Sequence, residues 1–452
     1  MRKRFSRKQK ASLLRVRKLS IALFCGFMAA GTLGGLLFFA RPSYSAAEKR
    51  DLTPFPALAL STFLNGDWFK QISLWYSDTY PARDTLMSAQ QTIDKLNGIQ
   101  SGEQVIGIAN KSDEIGKADR SSKSSSASSE ESRQFENQTA APEMHGLAED
   151  IQGQIMEGLL IRDGAAYGGY YFLQDSYDVY TQALERAARE LEDITDVYSI
   201  LVPNNSGVLL DQETLDKLAG ADQKEAIDYY YSNYSDLIHP VGTIDTLREH
   251  KDEYLYFRTD HHWTQLAAYY VYQNFCQTKG IDPIEKESLE QIHFEPFLGS
   301  YASELPSVEL TADSLDGWVP KDTNTIRIYT DTGANPESTE YYETPIVNTS
   351  EMIDQYSQYM RFIGGDQGFE MIDNPAVNDG SSCLVIKESY GNAFVPWLTS
   401  HYDKIYVMDF RYSDIPIVTW CKDHQIQDLI LINNIQLAAA GTVADRYDLL
   451  LH

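Results

Sequence analysis

Four short runs, residues 197–202, 384–387, 404–408 and 428–432, constrain this chain more than any other feature. Each is nearly continuous in β-favouring apolar residues (Val197, Ile200 and Leu201 in the first; Leu384, Val385 and Ile386 in the second), with no polar alternation. A strand without alternation is buried on both faces, which is the pattern of a parallel sheet covered by helices. The segments between the runs read as helices, around 392–400 and 414–424, and a long amphipathic stretch at 176–192 precedes the first. Strands and helices in alternation predict an α/β domain with a mostly parallel sheet and helices on both faces. Functional residues of such sheets gather at the carboxyl ends of the strands.

Residues 19–40 form a separate element, twenty-two residues without a charge, long enough to cross a bilayer as a helix. Nine basic residues (Arg2, Lys3, Arg4, Arg7, Lys8, Lys10, Arg15, Arg17 and Lys18) come before it, so the positive-inside rule puts the N-terminus in the cytoplasm and the rest outside. A cleaved signal peptide is the competing reading, favoured by the small residues Ser43, Ser45, Ala46 and Ala47 but opposed by the length of the apolar stretch. The expected organisation is a basic cytoplasmic tail (1–18), one transmembrane helix (19–40), a juxtamembrane helical segment (41–109), a disordered insert (110–145) and the α/β domain (146–452). Eight of the twelve residues 121–132 are serine, too few apolar groups to offset the entropy of ordering. Net charge is −27, and the first 41 residues carry ten Lys/Arg and no acid, which leaves about −37 on the remainder. Such a surface repels phosphate backbones and excludes nucleic acid as a partner of the main domain. Cys276, Cys383 and Cys421, odd in number and widely spaced, form neither a disulfide framework nor a zinc pattern.

Two places carry chemistry. In the first, Asp260, His261, His262 and Trp263 follow the apolar Tyr254–Phe257 segment, and helical spacing resumes at Leu266, Ala267, Tyr270 and Val271. The motif is therefore expected at a strand-to-helix junction. An imidazole there accepts a proton near neutral pH, and a carboxylate beside it fixes the tautomer. In the second, Ser389 follows the Leu384–Ile386 strand directly and enters a helix, where backbone N–H groups converge to stabilise an oxyanion. Lys387 stands where the first glycine of a G-x-S-x-G elbow would be, so this is not the α/β-hydrolase turn. A lone serine at such a position is far more often a helix cap than a nucleophile. Paired histidines beside an aspartate also suit a metal, but no second cluster with ligand spacing completes that site.

The Thr259–Trp263 stretch resembles the signature of the DHHW proteins, membrane-anchored bacterial proteins that are similar in turn to the SGNH-hydrolase-like domain of alginate O-acetyltransferase proteins. Similar stretches are Tyr80–Asp84, Gly364–Asp366, Ser389–Leu398 and Asp409–Tyr412. The resemblance implies an SGNH-hydrolase-like, flavodoxin-like fold with a catalytic Ser389, His262 and Asp260. It also implies Gly365, Tyr390, Asn392 and Arg411 around the oxyanion or substrate, without metal or cofactor. The implied activity is O-acetyl transfer or O-acetyl ester hydrolysis on a cell-envelope polysaccharide, with a membrane protein as acyl donor. The second class is a non-enzymatic envelope protein that keeps the fold for polysaccharide binding or assembly, and the third a metal-dependent hydrolase. Two departures stand out. His261 occupies a position commonly small and polar in the acetyltransferases, and Asp260 and His262 precede the serine, whereas in ordinary SGNH hydrolases they follow it. In extended backbone His261 should face away from His262, and the strand ends near 258 and 387 should share one edge of the sheet.

Overall fold

The structure, a computed structural model, describes residues 140–451 apart from 149, 153, 157, 331 and 334, together with 44–45, 50–51, 55, 72, 75 and 79. The chain divides into two compact units, residues 1–104 and 105–452. In the first, Tyr44–Ser45 pairs antiparallel with Arg50–Asp51. The expected tail (1–18), membrane span (19–40) and most of the serine-rich insert lie outside the described residues. Among the described residues no helix is long and apolar enough to cross a membrane. Residues 140–145, the end of the expected insert, are described, and His145 there exchanges backbone hydrogen bonds with Gly220.

The second unit is built on one eight-stranded sheet. Its strands are β1 (Asp196–Val202), β2 (Ile238–Pro240), β3 (Thr325–Tyr329), β4 (Tyr341–Pro345), β5 (Glu370–Asp373), β6 (Ser382–Lys387), β7 (Lys404–Asp409) and β8 (Asp428–Asn434). Their spatial order is β4-β3-β5-β7-β6-β8-β1-β2. The four runs singled out in the sequence are the adjacent strands β7, β6, β8 and β1, and these with β2 are parallel. The expectation of a mostly parallel sheet needs correction at one side, where β5, β3 and β4 are antiparallel. These strands gave no apolar run because β4 is an exposed edge, β5 has four residues, and β3 is half solvated.

Strand order explains the inverted chain order of the motifs. Numbered from β6, the parallel strands read 2-1-3-4-5 across the sheet, which is the flavodoxin order with the chain started at its fourth strand. The serine then follows the first strand of that order, and the Asp-His loop follows the fifth.

Side chains of the central strands alternate between two cores. Leu384, Ile386, Leu429 and Leu431 face α1 (Gln174–Leu191) and two C-terminal helices, Ile417–His424 and Gly441–Leu450. Cys383, Val385, Ile430 and Ile432 face α2 (Gln265–Lys279) and α3 (Tyr390–Leu398). Both faces are thus covered, which is why these strands carry no polar alternation.

One core residue is anomalous. Glu370 in β5 is fully buried, and neither of its carboxyl oxygens has a hydrogen-bond partner. Burial pushes this carboxyl well above the ordinary range; Lys387 opposes the rise, while Asp366 and Asp409 add to it. A carboxyl held above its unfolded value favours the folded state at low pH and loses that contribution as pH rises through the folded value. Glu370→Gln removes the titration. Thermal melts should therefore show the variant matching wild type near about pH 5 and exceeding it near about pH 9. Parallel pH dependences of the two proteins would refute the assignment.

Candidate active site

Ser389 lies just past the carboxyl end of β6, at the mouth of α3. It stands at the N-cap position, but its hydroxyl makes no capping bond to the helix. Instead Oγ is 2.7 Å from Nε2 of His262, while Nδ1 of the same ring is 2.5 Å from Oδ1 of Asp260. Nδ1 facing a carboxylate carries the proton, so the neutral ring presents Nε2 as an acceptor to the serine. The structure thus brings Ser389, His262 and Asp260 into one chain of hydrogen bonds, although 127 residues separate the serine from the histidine.

The Asp-His loop is shaped from outside. The segment before it is no strand of the sheet, contrary to expectation. Tyr256 makes an isolated bridge to Trp263, and Phe257 N–H donates to the His262 carbonyl, closing a tight bend. Thr264 then caps α2 by accepting from Ala267 N–H and donates to the Tyr254 carbonyl. A β-hairpin, Glu290–Phe297 with Asp313–Val319, grips the bend at two points. At one, Asp313 accepts from Arg258 N–H (3.0 Å), Thr259 N–H (2.7 Å), the Thr259 hydroxyl (2.5 Å) and the Tyr254 hydroxyl. At the other, Ser300 N–H donates to Oδ2 of Asp260 at 2.7 Å. Gly299 has no room for a side chain, since a Cβ there would sit 2.2 Å from the Asp260 carboxylate.

Because the backbone is bent, consecutive side chains do not alternate, and His261 does not point away. Its ring lies 3.8 Å from that of His262, centroid to centroid, and its Nδ1 is bonded to Ser300 Oγ at 2.7 Å. The histidine at the serine is nevertheless His262. Although burial pushes the Asp260 carboxyl up, the His262 and His261 rings and the bonds from His262 and Ser300 hold it well below the usual carboxylate range.

Beneath the serine lies a network of buried charge. Lys387 is 3.5 Å from both Asp366 and Asp409. Arg411 is paired with Asp409 (2.6 Å) and Asp366 (2.8 Å), and Asn392 Nδ2 donates to Asp366 at 2.9 Å. Asn392 and Arg411 are thus structural partners of Asp366 here. Gly365 does not present its N–H to the serine: that N–H donates to the Phe362 carbonyl, and its own carbonyl accepts from Lys387 Nζ. Tyr390 N–H is taken by Oε2 of Glu388 at 3.1 Å, and its hydroxyl by the His261 carbonyl. Glu388 also lies 3.1 Å from Ser389 Oγ and accepts Asn434 N–H from the end of β8. Burial pushes its carboxyl up, against Arg411 and the Asn434 bond.

Asp260, His261 and His262 place ligand-type atoms within 4.8 Å of one another, a spacing a metal could use. Both nitrogens of His262 are, however, already satisfied by Asp260 and Ser389, so we read the group as a hydrogen-bonded relay and not as metal ligands.

Sequence reasoning missed Asp313, Ser300 and Glu388. Glu388 had a signal, its adjacency to the serine; the others act across the fold.

The chain belongs to the DHHW protein family, which matches residues 48–126 and 135–408. It is similar in structure to a DHHW family protein from Eubacterium siraeum, at 25% identity and a TM-score of 0.58, over 67% of this chain and 99% of that one. Bacillus cereus PatB1, solved with a sulfonyl adduct, shares the fold at 16% identity and a TM-score of 0.52, over 63% of this chain and 97% of that one. The O-acetyltransferase domain of Pseudomonas putida AlgJ aligns at 13% identity and a TM-score of 0.36, over 64% and 99% of the two chains. No curated protein matches the sequence.

The hairpin grip is testable by itself. Asp313→Ala strands several buried donors, each costing about 1–3 kcal/mol when unsatisfied. Urea unfolding should show a loss of roughly 3 kcal/mol or more. A loss below about 1 kcal/mol, the worth of one ordinary hydrogen bond, would mean that Asp313 does not hold the bend.

Proposed function

We propose that the protein is an SGNH-type acyl-transfer enzyme, held by its N-terminal helix on the outer face of the cell membrane and acting on a cell-envelope polysaccharide. The observation that carries the reading is the His262 ring, bonded on one side to Ser389 Oγ and on the other to Asp260. Ser389 attacks the acyl carbonyl carbon, its proton passes to His262 Nε2, and Asp260 holds the ring and balances the imidazolium. His262 returns the proton to the leaving group, giving an acyl-serine. A sugar hydroxyl or water, deprotonated by His262, then takes the acyl group, which makes the enzyme a transferase or an esterase. The N–H groups opening α3 are the proposed oxyanion donors; at rest Tyr390 N–H is held by the Glu388 side chain, Gly391 N–H by the Glu388 carbonyl and Asn392 N–H by the Ser389 carbonyl, so one of these bonds must give way. Family membership and the resemblance to alginate O-acetyltransferase proteins support the O-acetyl group and the polysaccharide. A membrane protein is the proposed acyl donor.

A sulfonyl fluoride probe, with the adduct located by mass spectrometry, tests the chemistry. Wild type should be labelled at Ser389 and Ser389→Ala should not. His262→Ala should slow labelling by roughly 10²–10⁴-fold and His261→Ala by less than about tenfold. An unlabelled, folded wild type would favour a binding or assembly protein, and stoichiometric metal in the purified protein would favour a metal hydrolase.

Topology has its own test. External protease on intact cells should cut within 121–132, and protection of that segment would overturn the orientation.

A further inference from the structure

The face of the His262 ring has a partner that the relay does not use. Tyr359 lies on it with ring centroids 3.8 Å apart and planes 9° from parallel. The Tyr359 hydroxyl donates to the carbonyl of Ser389 at 3.0 Å, so one side chain touches the ring of the base and the backbone of the nucleophile. It sits in a short turn, Gln358–Arg361, that is fixed from behind. Arg361 is buried, bonded to Gln358 Oε1 (2.6 Å) and to the Asn348 and Ser350 carbonyls (2.8 Å each), with its guanidinium over Phe294. Phe257 and Phe362 pack against Tyr359 itself in T-shaped contacts.

We propose that Tyr359 is a positioning residue that stabilises the protonated ring of His262 through its π-face and holds that ring in register with Ser389. The role in turnover rests on the acyl-transfer reading above. In that reaction the Ser389 O–H bond breaks as the Oγ–acyl bond forms, the carbonyl electron pair moves to oxygen, and the proton with its positive charge arrives at His262 Nε2. A cation over an aromatic face is attracted by the ring quadrupole, more so when water is excluded, whereas a neutral imidazole gains much less. The stack therefore favours the state in which the base has taken the proton. Burial pushes the Tyr359 phenol well above its ordinary range, so it remains neutral throughout.

Other groups act on the same ring and must be held constant. Asp260 faces Nδ1, Ser389 faces Nε2, and the His261 ring lies 3.8 Å away, tilted by 38°. The ring of Tyr390, the first residue of α3, lies 5.6 Å from that of His262, and Glu388 and Asp366 act through their charge. None of these contacts is made by Tyr359, so a change at 359 that spares them isolates the stack. Phe keeps the π-face and loses the hydroxyl, while Leu or Met fills the space with neither.

The test uses the full chain in detergent, ¹⁵N-labelled at its nine histidines, with His262→Ala to assign the signal. The pH at which the His262 ring protonates should fall by about 0.5–1 unit in Tyr359→Leu and stay within about 0.2 in Tyr359→Phe. Tyr359→Met provides the same comparison if the Leu variant does not fold. The acid limb of Ser389 sulfonylation should move with it. An unmoved midpoint in a folded Leu or Met variant, or an equal fall in the Phe variant, would overturn the proposal. Failure of wild type to react at Ser389, with the midpoint difference present, would instead sink the acyl-transfer reading and leave the stack standing.

Discussion

Everything at this site depends on one bent loop being held in place. Asp260 and His262 are two residues apart, yet the carboxylate must reach both the ring Nδ1 and the backbone N–H of the same histidine. A free chain would not keep that bend, because it buries a carboxylate whose desolvation costs several kcal/mol unless it is fully partnered. The hairpin supplies the partners, Ser300 N–H to Asp260 directly and Asp313 to the residues just before it. The glycine at 299 is required by this approach, since a side chain there would fill the space of the carboxylate. The hairpin contributes nothing to the central sheet; its place in the molecule is explained by what it grips.

The second constraint is topological. A flavodoxin-ordered sheet offers a crevice where the strand order reverses, between its first and third strands. Here that crevice lies between β6 and β8, and Glu388 spans it by bonding Asn434. The Asp-His loop precedes the serine in sequence because the chain enters this strand order at its fourth strand, which leaves the crevice unchanged.

What the sequence made legible follows from this. Parallel strands buried on both faces must be apolar at every position, so β1, β6, β7 and β8 were visible as runs. The antiparallel strands were not, because an exposed edge such as Tyr341–Pro345 needs no apolar pattern. Ser389 and the Asp-His pair were legible as a spacing next to a strand end and a helix start. The orientation of His261 was not, because alternation holds for extended backbone and fails in a bend. Asp313 and Tyr359 reach the site across the fold, and nothing in their local sequence differs from an ordinary strand start or core aromatic. Asn392 was legible as a neighbour of the serine and Gly365 through the family resemblance, but the sequence could not say that Asn392 Nδ2 is bonded to Asp366 and that Gly365 N–H is bonded to the Phe362 carbonyl.

The network of buried charge bears on how an oxyanion could be held. Lys387 and Arg411 belong to it, and both are matched by Asp366 and Asp409. A paired, buried cation has little field left for a charge developing above it; its effect is to lock the β6–α3 turn in place. On the acyl-transfer reading, negative charge must then fall to the backbone donors opening α3, of which Tyr390 and Gly391 N–H rest on Glu388 and Asn392 N–H on the Ser389 carbonyl. Positive charge, by contrast, falls on a ring already matched on its edge by Asp260 and on its face by Tyr359. On that reading the resting protein is prepared for the cation of the reaction before it is prepared for the anion, and the arriving carbonyl must complete the second half by displacing an acceptor that holds one of these N–H groups.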